Sequence, residues 1–199
     1  MNFNRYVAKQ FGKPTGFGGD LSTLVMNLLN RRQYRATIEN LQVGASDTIL
    51  DIGFGNGYLI NKIAQKDPQK LFGIEISQDM LAKAQRLCCG KAELFLADVR
   101  QLPFEDASID KIYTVNTVYF WENIPEGLAE IRRTLKPGGI FLNTIYDKKW
   151  LDKLIYTKYG FSKYTTEQWH EMTKQSGLKI VKTVMIAKDK SACIIAKKL

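Results

Sequence analysis

The sequence predicts an α/β protein with a mostly parallel sheet and helices on both faces. Between residues 48 and 145, short aliphatic runs alternate five times with segments of helical periodicity, which is typical of strands joined by crossover helices. Two further apolar runs near the end are close enough to pair as a hairpin. The 199 residues, 45% of them hydrophobic and 25% charged, suit one domain that builds its core without disulfides.

The first half of this pattern holds three strands and two helices. Residues 48–52 and 71–76 form buried strands, with helical spacing at residues 58–64 between them. A second helix follows at residues 77–88, and a third strand covers residues 93–97. The stripe of the second helix that we expect to be buried consists of Met80, Leu81, Ala84, Leu87 and Cys88.

The second half continues the alternation and then changes character. Residues 109–115 and 140–145 form the fourth and fifth strands, on either side of a helix over residues 122–135 that Pro137-Gly138-Gly139 ends. The pair Thr165 and Gln168 has the spacing of a capping box and starts a late helix.

The last two runs and the N-terminal segment complete the prediction. Residues 179–186 and 192–196 read as an antiparallel pair of strands. Residues 1–40 read as a helix, a glycine-rich turn and a second helix. We therefore divide the chain into an N-terminal helical extension, residues 1–40, and a main domain, residues 41–199.

Composition and charge narrow the classes of function. No apolar run approaches the roughly 20 residues of a membrane span, and the start of the chain lacks the pattern of a signal peptide. Three cysteines, an odd number, favour reduced thiols over a disulfide framework, so we expect a cytoplasmic protein. The net charge is +9, and the basic excess lies in residues 1–40 and 148–199. Such flanks attract anionic partners or are simply solvated surface.

A glycine-rich turn follows the first strand. It reads Asp51-Ile-Gly53-Phe-Gly55-Asn-Gly57, and glycines there let the backbone turn tightly and approach a ligand. The third glycine of the dinucleotide fingerprint falls at Tyr58 and is missing. The turn therefore predicts a nucleoside site and disfavours a nicotinamide oxidoreductase.

Three carboxylates are expected at the same edge of the sheet. Asp51 precedes the glycines, Glu75 ends the second strand, and Asp98 follows the third. A carboxylate at Glu75 can accept hydrogen bonds from a ribose diol, Asp98 can accept one from an adenine amino group, and Asp51 can face an ammonium. Three acids repel phosphates and favour a positively charged nucleoside.

The order of these motifs resembles that of class I methyltransferases that use S-adenosylmethionine, in particular the small bacterial type. The resemblance covers residues 43–145. The matching segments are residues 43–57, Gly73-Ile-Glu75-Ile-Ser, Ala97-Asp98-Val99 with Leu102-Pro103-Phe104, Ile109-Asp-Lys-Ile, and Leu135-Lys-Pro-Gly-Gly139. The early segment of residues 10–19 with Met26-Asn27 is similar to the extension of some small bacterial members.

This resemblance implies a Rossmann-like sheet of seven strands, the last antiparallel, and S-adenosylmethionine as the cofactor. It implies that Glu75 holds the ribose and Ile76 packs on the adenine, while Asn116 lies near the methyl group or the methionine carboxylate. The cofactor-binding residues it implies are Asp51, Gly53, Gly55, Gly57, Glu75, Ile76, Asp98, Val99 and Asn116.

The acceptor site is expected among aromatic residues near the strand ends and in the extension. Aromatic rings can stack a planar acceptor or face a sulfonium cation. The candidates are Tyr6, Phe11, Phe17, Tyr119, Trp121, Tyr146 and Trp150. The glycines and aromatics of the extension also predict that residues 1–40 act as a lid over the site.

These features favour methyl transfer to a small-molecule acceptor by in-line displacement, with no metal ion. Transfer from a sulfonium depends mostly on positioning, so no catalytic residue is assigned. A nucleic-acid methyltransferase is an alternative that the basic flanks encourage, but Asn116-Thr-Val-Tyr119 lacks the prolines usual in amino-methylating enzymes of that class. A non-catalytic protein that binds S-adenosylmethionine is a further alternative. The oligomeric state is not predicted.

Overall fold

The computed structural model describes Ala8 and residues 26–199. Residues 26–29 are helical and lead into the first complete helix. The helices are α1 (Arg31–Leu41), α2 (Tyr58–Ala64), α3 (Gln78–Cys88), α4 (Ile124–Thr134), α5 (Lys148–Leu151) and α6 (Thr166–Gln175). The strands are β1 (Thr48–Ile52), β2 (Lys70–Glu75), β3 (Glu93–Leu96), β4 (Ile109–Val115), β5 (Leu135–Tyr146), β6 (Leu178–Ala187) and β7 (Ser191–Lys198). Short 3-10 turns cover Val118–Phe120 and Ile155–Lys158.

The strands form one seven-stranded sheet in the order β3-β2-β1-β4-β5-β7-β6. Strands β1 to β5 are mutually parallel, and β7 runs antiparallel to both β5 and β6. Six strands therefore share one direction and the last opposes them. The predicted fold class and the predicted closing hairpin are confirmed.

The order of the strands decides where a site can form. The chain returns to the middle of the sheet after β3, so the direction of strand addition reverses between β1 and β4. In open α/β sheets, ligands bind beyond the carboxyl ends of the strands at such a reversal. The turn between β6 and β7 lies at the same edge, because Tyr146 at the end of β5 pairs with Ser191 at the start of β7.

A separate hydrophobic core covers each face of the sheet. On one face, Phe141 of β5 packs with Leu128 of α4 and Trp169 of α6. On the other face, Leu142 of β5 packs with residues of α1, α2 and α3, including Ile60 of α2. Neighbouring residues of one strand point to opposite faces, so β5 serves both cores.

Some predicted boundaries were wrong. The helix predicted over residues 122–135 begins at Ile124, because the Asn123 side chain accepts a hydrogen bond from the Glu126 N–H and caps it. It gives way directly to β5 at Leu135, which pairs with Ile109 before the register shifts, so Pro137-Gly138-Gly139 lies within the strand. Leu87 of α3 is exposed although the pattern predicts it in the buried stripe.

Other local predictions hold. The Thr165 hydroxyl accepts from the Gln168 N–H and the Gln168 side chain accepts from the Thr165 N–H, so the predicted capping box is present. The boundary predicted at residue 40 falls inside α1, so the division into extension and main domain stays a prediction. None of the helices in the described part of the chain is long and apolar enough to cross a membrane.

Candidate functional site

A cavity of about 410 Å³ lies along the carboxyl edge of the sheet. The glycine-rich turn, the ends of β1 to β5, the start of α1 and the β6–β7 turn all contribute to its wall. Of the cofactor-binding residues implied by the resemblance, those that line it are Asp51, Gly53, Gly55, Glu75, Ile76, Asp98, Val99 and Asn116. The site therefore forms where the strand order reverses.

The glycines of the turn meet different constraints. Gly53 has a φ of +76°, and a Cβ there would lie 2.5 Å from Cγ2 of Thr117, so a side chain is excluded beside the cavity. Gly57, with a φ of +85°, would place a Cβ 2.8 Å from the Ala84 backbone. It is absent from the cavity wall and allows α2 and α3 to approach closely. Its proposed contact with a cofactor stays a prediction.

Asp51 is a buried carboxylate beside the cavity. Its Oδ2 atom has no hydrogen-bond partner among the described residues. Burial raises the pKa of Asp51 to about 8, against a lowering influence of the neighbouring Tyr113 hydroxyl and with a further raising contribution from the charge of Glu75. A buried and unpaired carboxylate is costly unless a cation compensates it. The position is therefore suited to a ligand ammonium.

Glu75 connects β2 to the glycine-rich turn. Its Oε2 accepts a hydrogen bond from the Gly55 N–H at 3.0 Å, and its Oε1 accepts from the N–H groups of Ile76 at 2.9 Å and Ser77 at 3.0 Å. The sequence indicates that Glu75 accepts hydrogen bonds from a ribose, but it does not indicate that Glu75 also accepts them from the backbone of the turn. Glu75 holds the turn in place and lines the cavity with the same carboxylate.

Asp98 carries an ion pair that the sequence does not indicate. Its two carboxylate oxygens accept from Nε and Nη2 of Arg100, each at 3.0 Å. The hydrogen bond from Arg100 lowers the pKa of Asp98. Arg100 also pairs with Glu122 at 2.6 Å. Beside this network, Val99 is buried and Ile76 is 47% exposed, so Ile76 presents apolar surface at the cavity rim.

Asn116 joins the end of β4 to α1. Its amide exchanges two hydrogen bonds with Gln33, at 2.9 and 3.2 Å. The Tyr119 hydroxyl lies 3.2 Å from Asn116 Oδ1 and also contacts both backbone polar groups of Tyr146. This places Asn116 at the middle of the cavity wall, between the acidic strand ends and the aromatic residues.

The other end of the cavity is aromatic. Four predicted acceptor residues line it: Tyr119, Trp121, Tyr146 and Trp150. Phe120 and Phe161 pack edge to face with ring centroids 4.7 Å apart and extend the same wall. The remaining predicted acceptor residues, Tyr6, Phe11 and Phe17, lie outside the described residues.

Several wall residues were missed by sequence reasoning. Asn30 and Tyr34 enter from α1 and its approach, Phe161 from the loop before α6, and Lys190 from the β6–β7 turn. None belongs to a motif or follows a strand end of the parallel part. The pattern of the closing hairpin was the available signal for Lys190, because it returns a turn to the carboxyl edge.

The tyrosine phenols in the described part of the aromatic end are not suited to act as bases. Burial raises the pKa of Tyr34 and of Tyr146 to about 12 and that of Tyr119 well above its ordinary value, so these phenols keep their protons. His170 lies away from the cavity, on α6, where its Nε2 is 2.8 Å from the Thr183 hydroxyl. Within the described ranges, no group of three or more histidine, cysteine or acidic side chains could hold a metal ion.

The residues present fit S-adenosylmethionine. Asp51 offers a buried carboxylate oxygen without a partner for the methionine ammonium. Gly53 and Gly55 line the cavity without side chains, and a Cβ at Gly55 would meet only open space. Glu75 is positioned at the strand end where ribose hydroxyls bind in this fold. Ile76 and Val99 supply apolar surface for a base.

Comparison with known proteins agrees with this geometry. The profile of a methyltransferase domain matches residues 49–139. The uncharacterized methyltransferase YdaC of Bacillus subtilis (strain 168) is 32% identical over 117 residues, which cover 58% of this chain and 65% of YdaC. YrhH, a candidate methyltransferase of the same organism, is 30% identical over 130 residues, covering 57% of this chain and 69% of YrhH. The chain thus spans less than two thirds of YdaC.

The fold extends beyond the matching sequence. A candidate methyltransferase solved in complex with the Haloferax volcanii Trm112 methyltransferase activator superposes with a TM-score of 0.81 at 17% identity, over 99% of both chains. That likeness supports the fold alone. Together with the sequence relatives and the acidic, glycine-lined cavity, these findings show that the chain belongs to the class I S-adenosylmethionine-dependent methyltransferase family.

Proposed function

We propose that this protein transfers a methyl group from S-adenosylmethionine to a small-molecule acceptor. The observation that carries the proposal is the single cavity that joins an acidic, glycine-lined end to an aromatic end. Its volume of about 410 Å³ is within the range of small-molecule sites. Asp51, Glu75 and Asp98 would bind the cofactor at the first end, and the aromatic wall would hold the acceptor at the second.

The protein's own residues would position the cofactor and the acceptor and would exclude water from them. When bound, S-adenosylmethionine supplies a methyl group that is already activated by the sulfonium, so the carbon–sulfur bond breaks as the acceptor–carbon bond forms and the electron pair stays on sulfur. Asn116 would orient the parts of the cofactor and the acceptor that meet between the two ends, because Gln33 and Tyr119 fix its amide. Tyr146 and Trp150 would stack the acceptor and keep water away.

We expect the acceptor to be nucleophilic without help from the phenols of the aromatic wall. The phenols of the aromatic end stay protonated, and the carboxylates lie towards the β1–β3 side. A proton released by the acceptor would therefore pass to water. At saturating S-adenosylmethionine, the pH dependence of turnover should accordingly report the pKa of the acceptor.

The basic C-terminal segment offers little support for a nucleic-acid acceptor. Lys148 and Lys163 both pair with Asp152, and Lys149 pairs with Asp189 at 3.2 Å. Such pairing reduces the charge that these three lysines would offer to phosphates. The proposal of a small-molecule acceptor rests on the cavity rather than on the charge of this segment.

Methyl labelling tests the proposal. The full chain would be incubated with S-adenosylmethionine carrying a labelled methyl group and a metabolite extract, and in parallel with RNA and DNA. We expect label in a low-molecular-mass product and formation of S-adenosylhomocysteine, with both lost in Glu75→Ala. Label in nucleic acid would contradict the proposed acceptor class. Binding of S-adenosylhomocysteine without any transfer would instead indicate a non-catalytic binding protein.

A further inference from the structure

Lys190 is the one basic side chain in the cavity wall, as far as the described residues go. It lies in the β6–β7 turn, and both its backbone N–H and its backbone carbonyl form hydrogen bonds. The Lys190 N–H donates to the Ala187 carbonyl at 3.1 Å, and the Lys190 carbonyl accepts from the Asp147 N–H at 2.9 Å. The turn is therefore attached to the end of β5 and places this lysine beside the aromatic wall.

The ammonium of Lys190 faces rings rather than acids. Its Nζ lies 4.1 Å from the ring centroid of Trp150 and 6.0 Å from that of Tyr146. Over residues 26–199 it forms no ion pair, whereas the neighbouring Lys149 pairs with Asp189. A ring face attracts a cation but does not neutralise it. The charge of Lys190 is thus available to a ligand.

The charges of the cavity are divided between its two ends. Asp51 lies in β1, Glu75 ends β2 and Asp98 follows β3. These strands form one half of the sheet, and the ion pair with Arg100 holds Glu122 towards the same half. Lys190 belongs to the opposite half, beyond β5. A ligand that fills both ends meets negative charge at one and positive charge at the other.

We propose that Lys190 binds an anionic group of the acceptor, so that the acceptor is an apolar or aromatic small molecule bearing a carboxylate or phosphate. The inference rests on the proposed function. The Trp150 ring is already contacted by two ammonium groups, since Lys190 Nζ lies 4.1 Å and Lys153 Nζ lies 5.9 Å from its centroid, and a cationic acceptor there would be repelled by both. An anion would gain a charge-assisted hydrogen bond from Nζ while its apolar part packs on the rings.

Matched fragments test this charge preference by binding alone. The full chain, saturated with S-adenosylhomocysteine, would be titrated with indole-3-acetate, indole-3-acetamide and tryptamine, which share a ring and differ in charge. Phenyl phosphate and phenol form a second pair. Ligand-observed NMR at millimolar concentration gives the dissociation constants. We expect the anions to bind about tenfold tighter than their neutral partners, as one charge-assisted hydrogen bond implies, and tryptamine to bind weakest.

Three variants assign the preference to one side chain. Lys190→Met keeps the length of the side chain and should remove the preference, and Lys190→Arg should retain it. Lys149→Met, which changes a neighbouring lysine outside the cavity wall, should behave as the unchanged protein. Equal affinities across each fragment set, no anion binding at all, or a preference that survives in Lys190→Met would overturn the inference. If the unchanged protein did not bind S-adenosylhomocysteine, that result would instead contradict the proposed function.

Discussion

The two ends of the cavity are built by different means. At the end that we propose binds the cofactor, short motifs lie at the ends of β1, β2 and β3, and Glu75 both lines the cavity and holds the turn through the Gly55 N–H. At the acceptor end, single residues arrive from distant segments, such as Asn30, Phe161 and Lys190. The residues of the first end thus come from local sequence motifs, whereas those of the second end are brought together only by the packing of separate elements. Changes at the two ends should therefore have separable effects.

The largest expected effect is at Glu75. Glu75→Ala removes the expected ribose acceptor and the hydrogen-bond partner of three backbone N–H groups. We expect the affinity for S-adenosylhomocysteine to fall by about 2–4 kcal/mol, as for loss of a charged acceptor. Calorimetry measures it, and circular dichroism confirms that the variant is folded. Glu93→Ala, at the exposed start of β3, serves as the control. Unchanged affinity in Glu75→Ala would mean that this carboxylate does not hold the cofactor.

The second effect concerns pH at Asp51. Its pKa is raised from 3.8 to about 8 because it is buried, and an ammonium beside it would favour the charged form. Cofactor binding should then release a proton, and affinity should rise by up to about tenfold per pH unit between pH 6 and 8. Calorimetry in two buffers of different ionisation enthalpy measures that release. Asp51→Asn should bind more weakly at pH 8 and lose the slope; the same slope in the variant would contradict the assignment.

The same raised pKa has a consequence for stability without cofactor. Between pH 3.8 and about 8 the folded protein retains a proton that the unfolded chain has lost. The free energy of unfolding therefore falls as the pH rises through this window. Asp51→Asn should unfold at a higher temperature than the unchanged protein at pH 8, with the difference disappearing below about pH 4. Together with weaker cofactor binding by Asp51→Asn, this result would show that the Asp51 carboxylate strengthens ligand binding but lowers the free energy of unfolding.

A smaller effect is expected at the acceptor end. The Tyr119 hydroxyl accepts the Tyr146 N–H and fixes the aromatic wall to β5. Tyr119→Phe leaves that buried donor without a partner and should lower the free energy of unfolding by about 1–2 kcal/mol. Cofactor affinity should change by less than about twofold, because the two hydrogen bonds from Gln33 still hold the Asn116 amide when the Tyr119 hydroxyl is removed. Urea unfolding and calorimetry measure the two quantities. A large loss of cofactor affinity would show that the two ends are coupled.

This contrast also decides what could be predicted from the sequence. The acidic, glycine-lined end of the cavity could be located because Asp51, the glycines and Glu75 lie within motifs that a strand and a turn bring together locally. Two features could not be predicted. The ion pair of Asp98 with Arg100 depends on side-chain geometry, and the packing role of Gly57 depends on how closely α2 and α3 approach each other. Four aromatic residues of the wall, Tyr119, Trp121, Tyr146 and Trp150, could be predicted because they follow strand ends. Lys190 could not, because its position depends on the closing hairpin returning to that edge.

The smallest expected effect lies in α1, which contacts both ends of the cavity. Asn30 and Tyr34 line the wall, and Gln33 bonds to Asn116, so a cofactor should restrict the opening of this helix even though it contacts few of its residues. We expect amide hydrogen exchange around residues 30–34 to slow several-fold when S-adenosylhomocysteine is added. Amides of α6 are the control, because that helix packs in the core on the opposite face of the sheet. Slower exchange in α1 alone would support a lid function for the segment predicted over residues 1–40. Equal protection with and without the cofactor would make α1 a fixed brace, and the exclusion of water would then fall to the aromatic wall.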